Sequence, residues 1–572
     1  MPVRILPAGE RGMVVELGES IDLETNAAVR MLALALERAG IPGIRELVPT
    51  YRSLGVEYDP EAIGWEALSA KILAALETIE RSGPPPGRVV EIPTRYGGEQ
   101  GPDLADVAAH AGLSPEEVVR LHAGTEYPVY MLGFTAGFAY LGGLPEALHT
   151  PRLASPRIRV PRGSVGIGGG QTGVYPAETP GGWRLIGRTP LPLFDPHRDP
   201  PTPIRPGDLV RFVPIGEAEY RRLEREGAAA ARAAETADTD VSERPLLEVV
   251  QPGPLTTVQD LGRAGYQRFG VPPSGAADPL ALRVGNTLLG NPDGAAGLEF
   301  TGVGPTLAFA ADRVVALTGG AFAAALDGRA APWYVSFLVR AGQRLEIGGM
   351  RQGFRGYLTV AGGIDVPRLL GSAATCLPAR FGGHRGRRLE AGDRLRAGAI
   401  GRTALAGCAA EPGLRPAFED HDGPVLVRVV LGPQADAFTE AGRRTFLASG
   451  YRVTQAVDRM GCRLDGPAVA HTAGADVISD WIPPGGIQVP GDGKPILLLS
   501  DRQTTGGYAK LATLIGPDIG RIAQCRPGDL VRFRAVSLSE AQQAARAVET
   551  ALSRLPGSML RALQDCAFDY GC

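Results

Sequence analysis

Glycine and proline constrain this chain more than any other feature. It holds 78 glycines and 49 prolines in 572 residues, against a combined average usage of roughly 12%. In a helix interior glycine costs about 1 kcal/mol and proline about 3 kcal/mol, so most of the chain has to be short strands joined by tight turns. The excess shows no G-X-Y period, and 44% of the residues are apolar, which excludes collagen and a disordered low-complexity chain. A helical bundle is excluded by the same punctuation. At roughly 100–200 residues per domain, the length supports three to five domains, each with its own core.

A net charge of −3, from 59 basic and 62 acidic residues, lacks the basic footprint of a nucleic-acid binder. The start of the chain has no apolar core of a secretory signal. The uncharged run Tyr127–Pro145 is interrupted by Gly133, Gly137, Gly142 and Gly143 and reads as strand and loop, not as a membrane span. A soluble, cytoplasmic protein is expected. The six cysteines (376, 408, 462, 525, 566, 572) form no C-x-x-C, and the seven histidines form no H-x-x-x-H, so neither a disulfide framework nor a metal site is expected.

The fold class expected is an α+β N-terminal domain followed by mainly-β barrels. Residues 1–86 carry two amphipathic helical patterns, Asp22–Gly40 and Trp65–Gly83, around a paired-strand segment Ile44–Tyr58. Residues 87–216 open with two short helices, the second started by a Ser114-Pro-Glu-Glu117 capping box, and continue as short apolar runs. Residues 217–245 are a charged, alanine-rich helix and linker. The β texture returns at 246–400 and 401–536, too long for one small barrel, and 537–572 form a helical tail expected to fray at its end. The run Arg205-Pro-Gly-Asp-Leu-Val-Arg-Phe212 recurs unchanged as Arg526-Pro-Gly-Asp-Leu-Val-Arg-Phe533, with looser relatives at Arg340–Ile347 and Glu390–Ala397. This echo points to related barrels in the two halves.

Chemistry is harder to place. Gly168-Gly-Gly170-Gln-Thr-Gly173 matches G-x-G-x-x-G, but Pro176 and Pro180 stand where the dinucleotide helix would begin, so a close backbone approach is the better reading. No Walker A motif and no G-x-S-x-G occur, and Cys462 reads as a buried thiol. Two polar clusters remain. Arg157, Arg159 and Arg162 precede the glycine loop, and Gln171, Tyr175 and Arg188 follow it. Gln488 leads through an apolar strand into Ser500-Asp-Arg-Gln-Thr-Thr-Gly-Gly-Tyr508, with Lys510 beyond. Such a run suits donors aimed at an anionic or amide substrate, or equally a salt-bridged turn.

Longer motifs are specific. Gly133-Phe-Thr-Ala-Gly-Phe-Ala-Tyr-Leu-Gly-Gly-Leu-Pro145 and Pro180-Gly-Gly-Trp-Arg-Leu-Ile-Gly-Arg-Thr189 resemble the KipI family. Val258-Gln-Asp-Leu-Gly-Arg-Ala-Gly-Tyr266, Gly270-Val-Pro-Pro-Ser-Gly-Ala-Ala-Asp278, Gly362-Gly-Ile-Asp-Val-Pro367 and Ser500–Tyr508 resemble KipA. The resemblance spans nearly all the chain except linker and tail. It implies one cyclophilin-like barrel in the KipI half and two in the KipA half.

These families are labelled allophanate hydrolase subunits 1 and 2. They are similar to the carboxyltransferase region of urea carboxylase and to the B and C subunits of ATP-dependent 5-oxoprolinase. KipI and KipA also regulate a histidine kinase. The Ser-Ser-Lys amidase signature and a Met-Lys-Met biotin attachment site are both absent from the chain. The resemblance therefore favours the B and C subunits of an oxoprolinase, working with ATP (and Mg), a 5-oxoproline-like small molecule and a LamB/YcsF-like A subunit. A carboxyltransferase component or a kinase regulator are the alternatives, and a homo-oligomer is expected. On this reading Asp501 and Lys510 are catalytic, and Gln488, Arg502, Gln503 and Tyr508 bind substrate. Arg157, Arg159, Gly170, Gln171 and Tyr175 would contact the nucleotide or another anion.

Overall fold

The computed structural model describes residues 3–79, 87–237, 245–400, 406–415 and 423–569. It is mainly β, with several barrel-like sheets and a few helices. The N-terminal unit is an antiparallel sheet in the order Arg4–Pro7, Gly12–Glu16, Ser53–Tyr58, Ile44–Pro49. Met13, Val15, Leu54 and Val56 turn to helices Leu23–Ala39 and Trp65–Ile79. The alternate residues Val14 and Val48 pack with Ala8 on Trp481, from the far end of the chain. A sheet buried on both faces explains why all of Gly12–Glu16 is inaccessible. The first helix starts and stops where its signals stand: Asp22 accepts the Thr25 N–H at 2.7 Å, and Gly40 takes the left-handed cap.

The next sheet has seven strands, ordered Gln171–Val174, Ser164–Gly168, Arg184–Arg188, Val89–Tyr96, Leu209–Pro214, Glu126–Leu132, Ala139–Leu141. The Ser114–Glu117 capping box forms as expected. Gly169 and Gly170 are the turn of a hairpin in which Gln171 faces Gly168, and no helix follows. A ten-stranded sheet covers residues 247–397 and contains two long strands, Arg313–Leu326 and Arg344–Val360. The last sheet, from Val425–Leu431 to Leu530–Ala535, closes into a seven-stranded barrel. It is the one sheet, among the described residues, whose hydrogen-bonded path returns to its start.

The repeated octapeptide occupies equivalent places. Leu209–Pro214 pairs parallel with Val89–Tyr96 and antiparallel with Glu126–Leu132. Leu530–Ala535 pairs parallel with Val425–Leu431 and antiparallel with Gly450–Val457. The turn before each strand is the same. The Arg205 N–H donates to Asp208 at 2.8 Å and the Arg526 N–H to Asp529 at 2.7 Å, and the looser relatives repeat it from Glu390 to Asp393 and from Arg340 to Gln343. Its third residue has positive φ in all four, up to 100° at Gly528, which fixes glycine there. Asp529→Ala should cost the barrel about 1–2 kcal/mol, read as a lower urea midpoint. Gln343→Ala, where the turn's acceptor is an uncharged amide oxygen, should cost less.

The tail does more than extend the chain. Helix Leu538–Asp569 returns to the N-terminal unit, where Gln542 donates to the Tyr58 hydroxyl at 3.3 Å and Arg546 pairs with Glu61 at 2.8 Å. It also meets the ten-stranded sheet's helix Pro279–Leu288 through Arg283 and Glu549, with two bonds of 2.7–2.8 Å. The end expected to fray, 570–572, lies outside the described residues, as does most of the expected linker, 238–244. No helix among the described residues is long and apolar enough to cross a membrane. Burial pushes the Cys462 thiol up to about 12, so it is no nucleophile near neutral pH.

Candidate functional site: a polar seam between the two halves

A two-stranded ribbon, Asp476–Trp481 paired with Thr505–Tyr508, leaves the closed barrel and lies on the N-terminal half. Three polar groups converge along it. The first is centred on Gln267. Its backbone N–H and side-chain amide donate to the two oxygens of Glu46, at 2.5 and 2.7 Å, and the amide also reaches Glu57 at 3.2 Å. Its carbonyl oxygen accepts from Arg502 at 2.9 Å and from Trp481 at 3.2 Å. Arg502 also donates to the Ile482 carbonyl at 3.0 Å. Burial brings the Arg502 guanidinium down to about 10, against the pull of Glu57 and Glu46, so it stays charged at neutral pH.

The second group holds Lys510, which is fully buried and ion-paired with Asp480. Gln434 clamps the pair, donating to Asp480 at 2.6 Å and accepting the Lys510 N–H at 3.1 Å. Gln488 lies beside it and donates to the Tyr508 carbonyl at 3.4 Å. Tyr508 itself is 42% exposed and marks the open edge of the seam, while Gln503 is half-buried.

Asp501 points elsewhere. Its carboxylate is held by Arg459 at 2.9 and 3.3 Å, and Arg459 also binds Glu299 and the Gly275 carbonyl. Glu299 takes the Tyr357 hydroxyl at 2.7 Å and the Ala277 N–H at 2.8 Å. This buried network ties the barrel to the ten-stranded sheet. The salt-bridged-turn reading describes Asp501, while its neighbour Arg502 faces the seam.

The third group joins the two sequence clusters. Gln171 donates to the Tyr51 hydroxyl at 3.4 Å, and the Tyr51 ring packs on Tyr130 and Tyr140 with centroids 5.1 and 5.7 Å apart. Thr505 bonds to the Tyr140 hydroxyl and accepts the Phe134 N–H at 3.0 Å. A Cβ at Gly133 would stand 1.9 Å from the Thr505 oxygen, so glycine is what lets the two halves touch there. Tyr175 is buried against Trp183, and Gly170 faces His149. Arg157 and Arg159 are not drawn to the seam: they pair at 2.6 Å with Asp103 and Glu178 of their own half.

Glu46, Glu57, Gln267, Gln434, Asp480 and Tyr51 were not singled out from the sequence. The available signal was weak, Gln267 sitting directly after the Val258–Tyr266 motif and Asp480 beside Trp481 in the mixed strand Asp476–Trp481. Burial, with Glu57 beside it, raises Glu46 to about 7 from the ordinary 4.5. The folded state therefore binds a proton that the unfolded chain has released, and stability falls as pH rises from about 4.5 to about 7. The loss should approach ~3 kcal/mol. Glu57→Gln should flatten part of that slope in Tm measured across this range. Among the described residues no group of three or more His, Cys, Asp or Glu is placed to hold a metal.

Models of the carboxyltransferase domain match both halves, subdomains C and D over residues 3–204 and subdomains A and B over residues 269–535. The chain is thus a carboxyltransferase-type protein whose C/D part precedes its A/B part. The B subunit of 5-oxoprolinase from Bacillus subtilis (strain 168) is 45% identical over 228 residues, 38% of this chain and 95% of that protein. The C subunit of the Escherichia coli (strain K12) 5-oxoprolinase is 38% identical over 299 residues, 52% of this chain and 94% of that protein. The chain belongs to the families of the 5-oxoprolinase B and C subunits, fused in one polypeptide. The crystal structure of TTHA0988, 38% identical, superposes with a TM-score of 0.77 over 92% of this chain and 99% of that one.

Proposed function

We propose that the chain supplies the B and C parts of an ATP-driven 5-oxoprolinase, which opens the five-membered lactam to glutamate with a separate LamB/YcsF-like A subunit. What supports this best is the presence, in one polypeptide, of a B-like and a C-like half that share a buried polar seam. A lactam is a stable amide. Transfer of the ATP γ-phosphoryl group, with Mg, to its oxygen makes the ring carbon a better electrophile. Water then adds there, the C–N bond breaks as the nitrogen gains a proton, and a second water hydrolyses the resulting acyl phosphate to the carboxylate and free phosphate. In this reading Lys510, oriented by Asp480 and Gln434, holds and passes a proton, while Gln488, Arg502, Gln503 and Tyr508 meet the substrate. Asp501 acts through Arg459 as a positioning residue. Gln171 reaches the seam from the other half through Tyr51, and Gly170 and Tyr175, packed within their own half, would serve the nucleotide or another anion. Arg157 and Arg159 would have to exchange their carboxylates to meet an anion. We further read the three large β units as cyclophilin-like and the protein as cytoplasmic and oligomeric.

The carboxyltransferase models favour a second reading, carboxyl transfer, with biotin on another chain. The test mixes this chain with an A-type subunit, ATP and 5-oxoproline and measures glutamate. Glutamate is expected. Its absence from folded components, with carboxyl transfer from a biotin carrier or inhibition of a histidine kinase instead, would overturn the proposal.

A further inference from the structure

A cavity of about 950 Å³ opens between the seven-stranded half and the ten-stranded sheet, and none of the seam residues lines it. One wall is apolar, with Pro190, Pro192, Phe194, Val366, Leu369 and Phe381. The Phe194 and Phe381 rings pack across the two halves, centroids 5.3 Å apart. The other wall is cationic. Arg162 and Arg188 come from one half, Arg380 and Arg385 from the other.

The other lining charges largely cancel. Arg394 pairs with Glu248 at 3.1 Å, and Arg396 with Asp365 at 3.3 Å. Among the described residues the four cavity arginines are in no ion pair with a carboxylate. Arg188 donates to the Arg162 carbonyl at 3.0 Å, and Asp195 is the acidic group Arg162 senses. Asp195 and Glu224 are the acids left facing the four. The excess is positive.

The loop that presents Arg380 and Arg385 is tied down. The Gly386 N–H bonds to the Gly382 carbonyl at 2.8 Å, Arg387 grips Asp393 at 2.7 and 2.8 Å, and Arg263 lies 4.5 Å over the Phe381 ring. Both arginines have left-handed backbones, φ 55° and 58°, a conformation that costs free energy at non-glycine residues. Guanidinium groups without a carboxylate ion pair, Arg188 bonding to the Arg162 carbonyl and Tyr220, match phosphate oxygens, and the volume suits a nucleotide-sized molecule.

We propose that this cavity binds a phosphate-bearing ligand of nucleotide size, with its phosphates on the four arginines and its uncharged body on the proline–phenylalanine wall. Naming that ligand as ATP rests on the function proposed above; the phosphate site itself does not. The full chain is titrated with ATP, inorganic triphosphate and adenosine at low and high salt. ATP and triphosphate should bind, more weakly at high salt. Arg162→Ala/Arg188→Ala and Arg380→Ala/Arg385→Ala should each weaken both by at least about tenfold, while Arg351→Ala, an exposed site elsewhere, should not. Phe194→Ala should weaken ATP alone, which separates a nucleotide from bare phosphate. Unchanged affinity in both double variants with unchanged Tm, or no binding of either phosphate probe, overturns the proposal. Should the wild type form glutamate and both double variants match its KM for ATP, the cavity proposal fails and the function stands. Should no glutamate form while triphosphate binding still depends on the arginines, the function fails and the cavity stands.

Discussion

Lys510→Met should abolish glutamate formation and lower the stability of the barrel by about 3–5 kcal/mol. The ammonium is fully buried against Asp480, and methionine fills its volume without its charge. The Asp480 carboxylate then keeps one partner, the Gln434 amide at 2.6 Å, which cannot offset the cost of burying a charge. Stability and chemistry can be separated with the double variant Lys510→Met/Asp480→Leu. Removing both charges leaves apolar groups of similar size, so most of the lost stability should return. Activity should not return, because the proton-carrying group is gone. Trp481 follows Asp480 directly, so its emission during urea unfolding checks the first outcome, and the glutamate assay checks the second. Recovery of activity in the double variant would show that Lys510 only fills space.

How far the sequence reaches is clearest where the signal is local. Asp22 and Gly40 bound their helix, and Ser114 and Glu117 cap theirs, because the bonds involved span three or four residues. The octapeptide echo identified equivalent strands for the same reason, since its turn closes on itself. The seam was only half legible. Arg502 stands in the Ser500–Tyr508 run and Lys510 just beyond it, yet Gln267, Asp480 and Gln434, which hold them, all lie outside that run. Gln267 and Glu46 are 221 residues apart, and no periodicity links them. Direction was also hidden. Asp501 and Arg502 are adjacent in the turn between strands Ile496–Leu498 and Thr505–Tyr508, where no strand alternation fixes side-chain direction, and one joins the inter-sheet network while the other joins the seam. The expected three barrels follow from glycine and strand spacing, but whether a sheet closes depends on pairing between its first and last strands. That pairing is nonlocal, and it closes the path for residues 425–535.

Arg459→Met should cost about 3–5 kcal/mol near neutral pH, and less in acid. In the native protein burial works against the Arg459 charge, but Asp501 and Glu299 outweigh it and hold Arg459 above its ordinary value. Burial likewise opposes the Glu299 carboxylate, yet Arg459 and Arg355 keep it below the usual 4.5. A depressed carboxylate contributes stability above its unfolded pKa and loses it as pH falls through the folded value. Wild-type stability should therefore vary little through this group between pH 8 and 5. In the variant, Glu299 keeps Arg355, at 3.6 Å, as its one cationic partner beside the Tyr357 hydroxyl and the Ala277 N–H, and Asp501 has lost its guanidinium. Burial then raises the Glu299 carboxylate, which takes up a proton as the pH falls, so the variant gains stability on acidification. The Tm gap between the two proteins should narrow from pH 8 to pH 5, and a gap that stays constant would mean that the network carries no net ionic stabilisation. A functional consequence follows from chain connectivity. Loosening Asp501 frees the start of the 501–508 run, so Arg502 loses its fixed approach to Gln267, and KM for 5-oxoproline should rise more than kcat falls.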